Sequence, residues 1–210
     1  MCVRINADVG FAPKPRAEEG TRSPLPHSLP TKAACVHLQA VPTIQLALKI
    51  ERTANEVFDG DRLGILFGTH RWAEVTRVIK QTIGELGQKL GYQVAASGFP
   101  GHFDPGWVYD LTWFVPGHGR FEVAVAMESE LSPIAIGFDD DFLKLLDSTA
   151  DVRVWLTCVA DSQSAEQHVT SHLKEAERFK KMIPGTVFIF IIFEWKSRTT
   201  ITKRYTIGQK

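Results

Sequence analysis

Three acidic residues are predicted to meet at one end of a β-hairpin. Glu128 and Glu130 stand two positions apart in the segment 121–130, and side chains alternate across a strand, so both face the same side. Asp110 stands near the start of the preceding segment, residues 109–115, which is rich in aromatic and β-branched residues. The Pro-Gly-His-Gly turn between the segments favours an antiparallel hairpin, in which the first strand starts where its partner finishes. The pattern therefore predicts that the three carboxylates converge.

Converging carboxylates repel one another, and folded proteins hold them together with a cation, a shared proton or a basic neighbour. Magnesium prefers oxygen ligands, commonly one or two carboxylates completed by water and phosphate. One interpretation is therefore a magnesium or manganese site at Asp110, Glu128 and Glu130. The other is that Glu128 and Glu130 mark a strand that leaves the core for solvent, and the residues alone do not decide between them.

Other polar residues form weaker candidate sites. His168 and His172 are four positions apart on a predicted helix and could share a zinc ion, but no cysteine or third histidine completes the set, so solvent exposure is expected. His102, Asp104 and His118 flank the Asp110 strand and either line a site or belong to ordinary glycine-rich turns. No phosphate-binding glycine loop, nucleophile elbow or paired-cysteine motif occurs, which disfavours nucleotide hydrolysis and acyl transfer.

Composition is typical of an ordinary soluble protein. The 210 residues contain 24 basic and 24 acidic side chains, so no global charge attracts nucleic acid or an anionic membrane. Three scattered cysteines fit a reducing compartment better than a disulfide framework. The longest strongly apolar run, residues 187–193, is too short to span a bilayer, and the N-terminus has no apolar signal core. We expect a cytoplasmic protein without a membrane partner.

The chain divides into a tail and one domain. Residues 13–30 carry five prolines among charged and hydroxyl residues and have little apolar content, which predicts that residues 1–40 form a disordered N-terminal tail that adds nothing to the core. Residues 41–210 are expected to form a single domain. Within it, apolar residues between 43 and 58 fit strand and helix patterns equally, so that segment's type stays open.

The remaining elements follow from periodicity and turn signals. A helix is predicted over 71–90, with Arg77, Lys80, Gln81 and Lys89 on its polar side, a face that could lie near phosphates but is usually solvated. Alternation in the second hairpin strand predicts one apolar face, formed by Phe121, Val123, Val125 and Met127. The other predicted elements are a strand at 92–97, a loop at 98–106, a helix opening at 139–141, a buried strand at 152–159, a helix at 164–182, a strand at 187–195 and an edge strand at 199–207.

This order of elements resembles that of the restriction-endonuclease-like superfamily, also called PD-(D/E)xK nucleases. Asp110 matches the acid of the second core strand and Glu128 the acid of the third, and the resemblance covers residues 71–159. The segments Tyr-Asp-Leu-Thr-Trp, Met-Glu-Ser-Glu and Asp-Asp-Phe-Leu-Lys-Leu-Leu are similar to those of a group of uncharacterised bacterial proteins in that superfamily. The resemblance implies an α/β fold with a mixed sheet, a core of order αβββαβ, and an added helix and two C-terminal strands.

The chain departs from the family pattern at two positions. Tyr109 stands where a proline is common, and Glu130 stands where the pattern has a lysine. Some relatives are thought to recruit a lysine from the following helix, and Lys144 is the candidate here. Helical spacing places it opposite the apolar face of residues 142, 145 and 146, which favours a solvated lysine.

The resemblance implies a magnesium-dependent (or manganese-dependent) nuclease in which Asp110 and Glu128 hold the metal and Glu130 is a further ligand or orients a water. The alternative is a catalytically degenerate member that binds nucleic acid or a protein partner without cleavage. DNA is the expected nucleic acid, and a homodimer is a further option. A basic C-terminal surface would then contact phosphates, unless it serves only as a charged edge strand: Lys196, Arg198, Lys203, Arg204 and Lys210.

Overall fold

A mixed seven-stranded sheet forms the centre of the fold. The computed structural model describes the chain over residues 41–58, 71–99, 102–105, 108–117, 122–131 and 140–208. The described helices are α1 (Thr43–Phe58), α2 (Trp72–Lys89), α3 (Asp140–Asp147) and α4 (Ser162–Arg178). The strands are β1 (Gln93–Ala96), β2 (Asp104–Pro105), β3 (Leu111–Phe114), β4 (Val123–Glu130), β5 (Val152–Val159), β6 (Val187–Glu194) and β7 (Thr199–Thr206). The predicted mixed α/β class is confirmed.

Strand direction brings the candidate acids to one edge of the sheet. The strand order is β2-β1-β3-β4-β5-β6-β7. Strand β2 is parallel to β1, β3 is antiparallel to both β1 and β4, and β4, β5 and β6 are parallel to one another. The carboxyl ends of these three parallel strands therefore lie at the same edge as the start of β3. The final strand, β7, is antiparallel to β6 and forms an edge, as its sequence predicts.

Helices cover both faces of the sheet. The segment whose type was open is a helix, α1, because Leu46, Ala47, Ile50 and Ala54 form its buried stripe while Ile44 and Leu48 are exposed. Residues of α1 and α2 pack in one apolar cluster, and residues of α3 and α4 pack in a second. The core is thus a sheet between two helical layers.

A register shift in the hairpin changes the predicted faces. Val125 and Met127 lie in the α1/α2 cluster, as alternation predicts. The prediction for Val123 is wrong, since Val123 packs in the α3/α4 cluster and Ala124 in the other. The cause is an irregularity between Trp113 and Phe114 that adds a residue to β4 relative to β3.

Two glycines let α2 lie close to the sheet. A Cβ atom at Gly87 would lie 2.6 Å from the indole of Trp113, and one at Gly84 would lie 2.5 Å from the ring of Phe103. Any larger residue at either position would push the helix outward. These contacts set the height of α2 above β3, and so the reach of its side chains.

A buried arginine ties α3 to the sheet. Arg153 of β5 donates to the carbonyl oxygens of Leu146 (3.0 Å), Ser148 (2.6 Å) and Ala150 (3.4 Å), which end or follow α3. Burial lowers the pKa of its guanidinium to about 10, so it remains a cation at neutral pH. The end of α3 is therefore capped by a side chain from the neighbouring strand.

Most predicted boundaries agree with the structure to within a few residues. The strand predicted at 152–159 is confirmed over its whole length, whereas α4 begins two residues earlier and ends at Arg178. The two-residue strand β2 lies where a loop was predicted. The predicted tail, residues 1–40, lies outside the described residues. Within the described part of the chain, every helix is too short or too polar to cross a bilayer.

Candidate functional site at the end of β3 and β4

Asp110 and Glu128 lie at facing positions on neighbouring strands. Leu111 pairs with Met127 in the β3–β4 register, so the acids occupy the next position on each strand, just beyond this pair. The predicted proximity of these two residues follows from this geometry. Their side chains, however, contact different layers of the molecule.

Asp110 is held by groups on the α2 side. Its Oδ1 accepts a hydrogen bond from Lys80 Nζ at 3.1 Å, and its Oδ2 accepts from the backbone N–H of Ser129 at 3.1 Å and from the Ser129 hydroxyl. Lys80 also donates to Ser97 Oγ at 2.7 Å. These donors fix the carboxylate and offset its charge.

The predicted solvated position of Lys80 is wrong. Only 6 % of the residue is exposed, because α2 lies close to the sheet and the side chain extends inward to Asp110. In the sequence Lys80 directly follows the buried Ile79 and precedes Ile83 by three positions, so it stands at the border of the apolar stripe. This position at the border of the apolar stripe, together with an acid on the strand that α2 covers, was the sequence signal that could have indicated a buried Lys80.

Glu128 is a buried carboxyl on the α3 side. It is 4 % exposed, and its Oε1 has no hydrogen-bond partner among the described residues. Burial and then the charge of Asp110 raise its pKa to about 8, while Lys144 and the backbone N–H of Asp110 act in the opposite direction. Glu128 is therefore mainly protonated at neutral pH when no added cation is present.

Lys144 brings a second cation to the acids. Helical spacing correctly places it on the exposed side of α3, away from the buried Phe142, Leu145 and Leu146. Its Nζ nevertheless lies 3.9 Å from Glu128 Oε1, and it also pairs with Asp141 on its own helix. The hydrogen bond with Asp141 is the main cause of the raised pKa of Lys144. A long side chain at the rim can thus be half exposed and still reach the site.

Glu130 ends β4 at a partly exposed position. It faces Thr157 of β5 in the register, and its charge adds to burial in raising the pKa of the Cys158 thiol to about 11. Among the described residues, no group of three or more acidic, histidine or cysteine side chains is arranged to hold a metal ion. The central pair is therefore Asp110 and Glu128.

The chemistry of this pair fits a hard divalent cation. Both residues offer oxygen atoms, and Glu128 Oε1 is buried with no hydrogen-bond partner among the described residues. A buried oxygen in this state costs free energy, which a cation would recover. One or two carboxylates completed by water and phosphate is the usual magnesium arrangement.

The two histidines on α4 occupy a different environment from the one predicted. His168 is half-buried: its Nε2 accepts a hydrogen bond from Trp155 Nε1 at 3.0 Å, and burial lowers its pKa to about 4. His172 packs edge-on against Phe142 and bonds through Nδ1 to the His168 carbonyl oxygen at 2.8 Å. The expected exposure of His168 is wrong because β5 supplies an indole donor, and this contact occupies Nε2, one of the two ring nitrogens through which a histidine can bind zinc.

The remaining candidates contact groups outside the Asp110–Glu128 pair. His102 lies 3.5 Å from Glu85, and Asp104 accepts a hydrogen bond from Gln93. His118 lies outside the described residues.

The basic C-terminal surface is partly neutralised by acids. Lys196 Nζ lies 2.9 Å from Asp161, and Arg204 lies 3.6 Å from Glu51. Lys210 lies outside the described residues. Two of the predicted phosphate-contacting cations are thus already paired, which favours the edge-strand interpretation of this surface.

Comparison with known protein families, with curated proteins and with solved structures finds no match for this chain.

Proposed function

We propose that the protein is a metal-dependent, nuclease-like hydrolase that cleaves nucleic-acid phosphodiester bonds at Asp110 and Glu128. The observation that carries the proposal is the placement of these two acids at facing strand positions, each approached by a lysine ammonium group. Apart from the two-residue strand β2, which lies between β1 and β3 in the chain, the elements run α2-β1-β3-β4-α3-β5 with β5 parallel to β4, and this αβββαβ order is the one that the resemblance implies.

Each residue has a distinct role in this proposal. Asp110 and Glu128 would hold magnesium or manganese, which when bound lowers the pKa of a coordinated water and stabilises charge on the phosphate. Lys80 and Ser129 orient the Asp110 carboxylate through hydrogen bonds. Lys144 supplies, from α3, the cation that the chain lacks at Glu130, and it neutralises charge next to the scissile phosphate.

Cleavage assays with defined substrates test the proposal. Single- and double-stranded DNA and RNA are incubated with magnesium or manganese, and we expect Asp110→Asn and Glu128→Gln to lose at least about 100-fold in rate, as removal of a group that stabilises transition-state charge commonly does. Lys144→Ala should also slow cleavage, whereas Lys181→Ala, which removes an exposed lysine paired with Asp147, should not. Equal rates for both lysine variants would contradict the role of Lys144.

A second candidate function is binding without cleavage. It is favoured by an acid, Glu130, in place of the family lysine, and by the protonated state of Glu128 at neutral pH. Glu130→Lys separates the two candidates: it should preserve or raise cleavage in a functional site, but only weaken metal affinity in a binding protein. Binding of each nucleic acid is measured against salt concentration. If the protein neither binds nor cleaves nucleic acid at low salt, both functions are excluded. A role with a protein partner or a second copy of the chain would then be left.

A further inference from the structure

A cleft with basic and hydroxyl groups opens beside Asp110. Its volume is about 240 Å³, and it lies between α2 and the turn that follows β1. Its polar lining comes from Thr76, Arg77, Lys80 and Ser97, and Ala73, Gly98 and Phe99 complete the wall. None of the described residues that line it is acidic.

The polar groups that line this cleft are cations and hydroxyls, which can bind an anion. Thr76, Arg77 and Lys80 occupy one stripe of α2, because residues three and four apart share a helix face. Arg77 is exposed and makes no ion pair with the described residues. Its planar guanidinium can donate two parallel hydrogen bonds to a phosphate. The floor is Phe99, which packs edge-on against Phe103.

Lys80 connects the cleft to the candidate site. An ammonium group has three donors, and the described contacts of Lys80 use two, one to Ser97 and one to Asp110. The third is left for a ligand in the cleft. Lys80 Nζ lies 3.1 Å from Asp110 Oδ1, so an oxygen bound to it at ~2.8 Å lies within about 6 Å of that carboxylate oxygen.

We infer that this cleft binds a phosphate group of the nucleic-acid strand, next to the phosphate that is cleaved. The inference rests on the proposed function and adds a subsite that positions the strand through Arg77, Lys80 and the two hydroxyl groups. The phosphate is either an internal diester or the terminal monoester of the strand. Both present the same anionic oxygens to the cleft.

Binding without cleavage tests the subsite. Affinity for inorganic phosphate and for a short oligonucleotide is measured in EDTA by isothermal titration, with and without a terminal phosphate on the oligonucleotide. We expect Arg77→Ala to weaken both interactions about tenfold or more and to reduce the salt slope of oligonucleotide binding by about one. Arg77→Lys should recover part of the loss, because it keeps the charge but not the bidentate geometry. Thr76→Val, which removes one hydroxyl, should weaken phosphate binding less.

Lys89→Ala is the matched control, because it removes an exposed cation from the other end of α2. Circular dichroism should show unchanged folding for both alanine variants. If Lys89→Ala weakens phosphate binding as much as Arg77→Ala does, or if the wild type does not bind inorganic phosphate, the inference is overturned.

The oligonucleotide arms identify the source of the phosphate. Stronger binding of the phosphorylated oligonucleotide assigns the cleft to a strand end, and equal binding assigns it to an internal diester. Phosphate binding that depends on Arg77, in a protein that cleaves no nucleic acid, would support the subsite and contradict the proposed function. If Arg77→Ala changes neither the rate of cleavage nor the affinity for phosphate, the result would support the proposed function and contradict the subsite.

Discussion

Replacing Glu128 by glutamine should stabilise the metal-free protein in a strongly pH-dependent way. The ordinary pKa of the glutamate is 4.5, and burial beside Asp110 raises it to about 8 in the folded state. Between these values the folded protein keeps a proton that the unfolded chain has lost, so the stability of the wild type falls as pH rises. Glutamine has a similar shape and does not titrate, so it escapes this loss.

The magnitude follows from the shift. Each pH unit between the two pKa values lowers the free energy of unfolding of the wild type by up to ~1.36 kcal/mol. The loss between pH 5 and pH 7 is therefore about 2.5 kcal/mol. A domain of this size changes its midpoint by about 2–4 °C per kcal/mol, so the difference in Tm between Glu128→Gln and the wild type should grow by roughly 5–10 °C. Thermal unfolding followed by circular dichroism in EDTA at pH 5, 6, 7 and 8 measures it.

Two controls make this experiment decisive. Glu166→Gln removes an exposed carboxylate from α4 and should give a Tm difference that is nearly independent of pH. Saturating magnesium at pH 7 should raise the Tm of the wild type more than that of Glu128→Gln, because a cation favours the ionised carboxylate. Parallel Tm curves for the wild type and Glu128→Gln from pH 5 to pH 8 would refute the buried-carboxyl argument.

Two further predictions concern stability. Gly87→Ala should lower the free energy of unfolding by about 1–3 kcal/mol in denaturant titrations, because its Cβ would meet the Trp113 indole. Lys89→Ala on the exposed side of α2 should change it less, and equal effects would show that α2 can shift freely. Deletion of residues 1–40 should leave Tm nearly unchanged, given their polar, proline-rich composition, and a large drop would show that the segment packs on the domain.

Local patterns were sufficient to place the acids. The alternation that puts Glu128 at the end of an apolar strand, and the turn that returns the chain to Asp110, are properties of short segments. They predicted the two strands and the facing positions of these residues. The same local logic predicted α2 and β5, because the apolar periodicity of each is long and regular.

The cations of the site depend on contacts that no local pattern contains. Lys80 is buried because Gly84 and Gly87 allow α2 to approach the sheet, a distance that helical periodicity does not encode. Lys144 reaches Glu128 although its helix position is exposed, since a four-carbon side chain extends well beyond its own face. His168 likewise depends on a Trp155 donor from another element. Tertiary partners decide each of these cases.

The capping of α3 by Arg153 has a consequence for the order of folding. A helix of eight residues is marginal in isolation, because nucleation costs more than so few hydrogen bonds return. Its last carbonyl oxygens gain their donors only when β5 is in place. We therefore expect α3 to form late, after the sheet has assembled, and Arg153 variants to accelerate unfolding more than they slow folding. Lys144 would then reach Glu128 among the last steps of the folding reaction, when the sheet that carries both acids already exists.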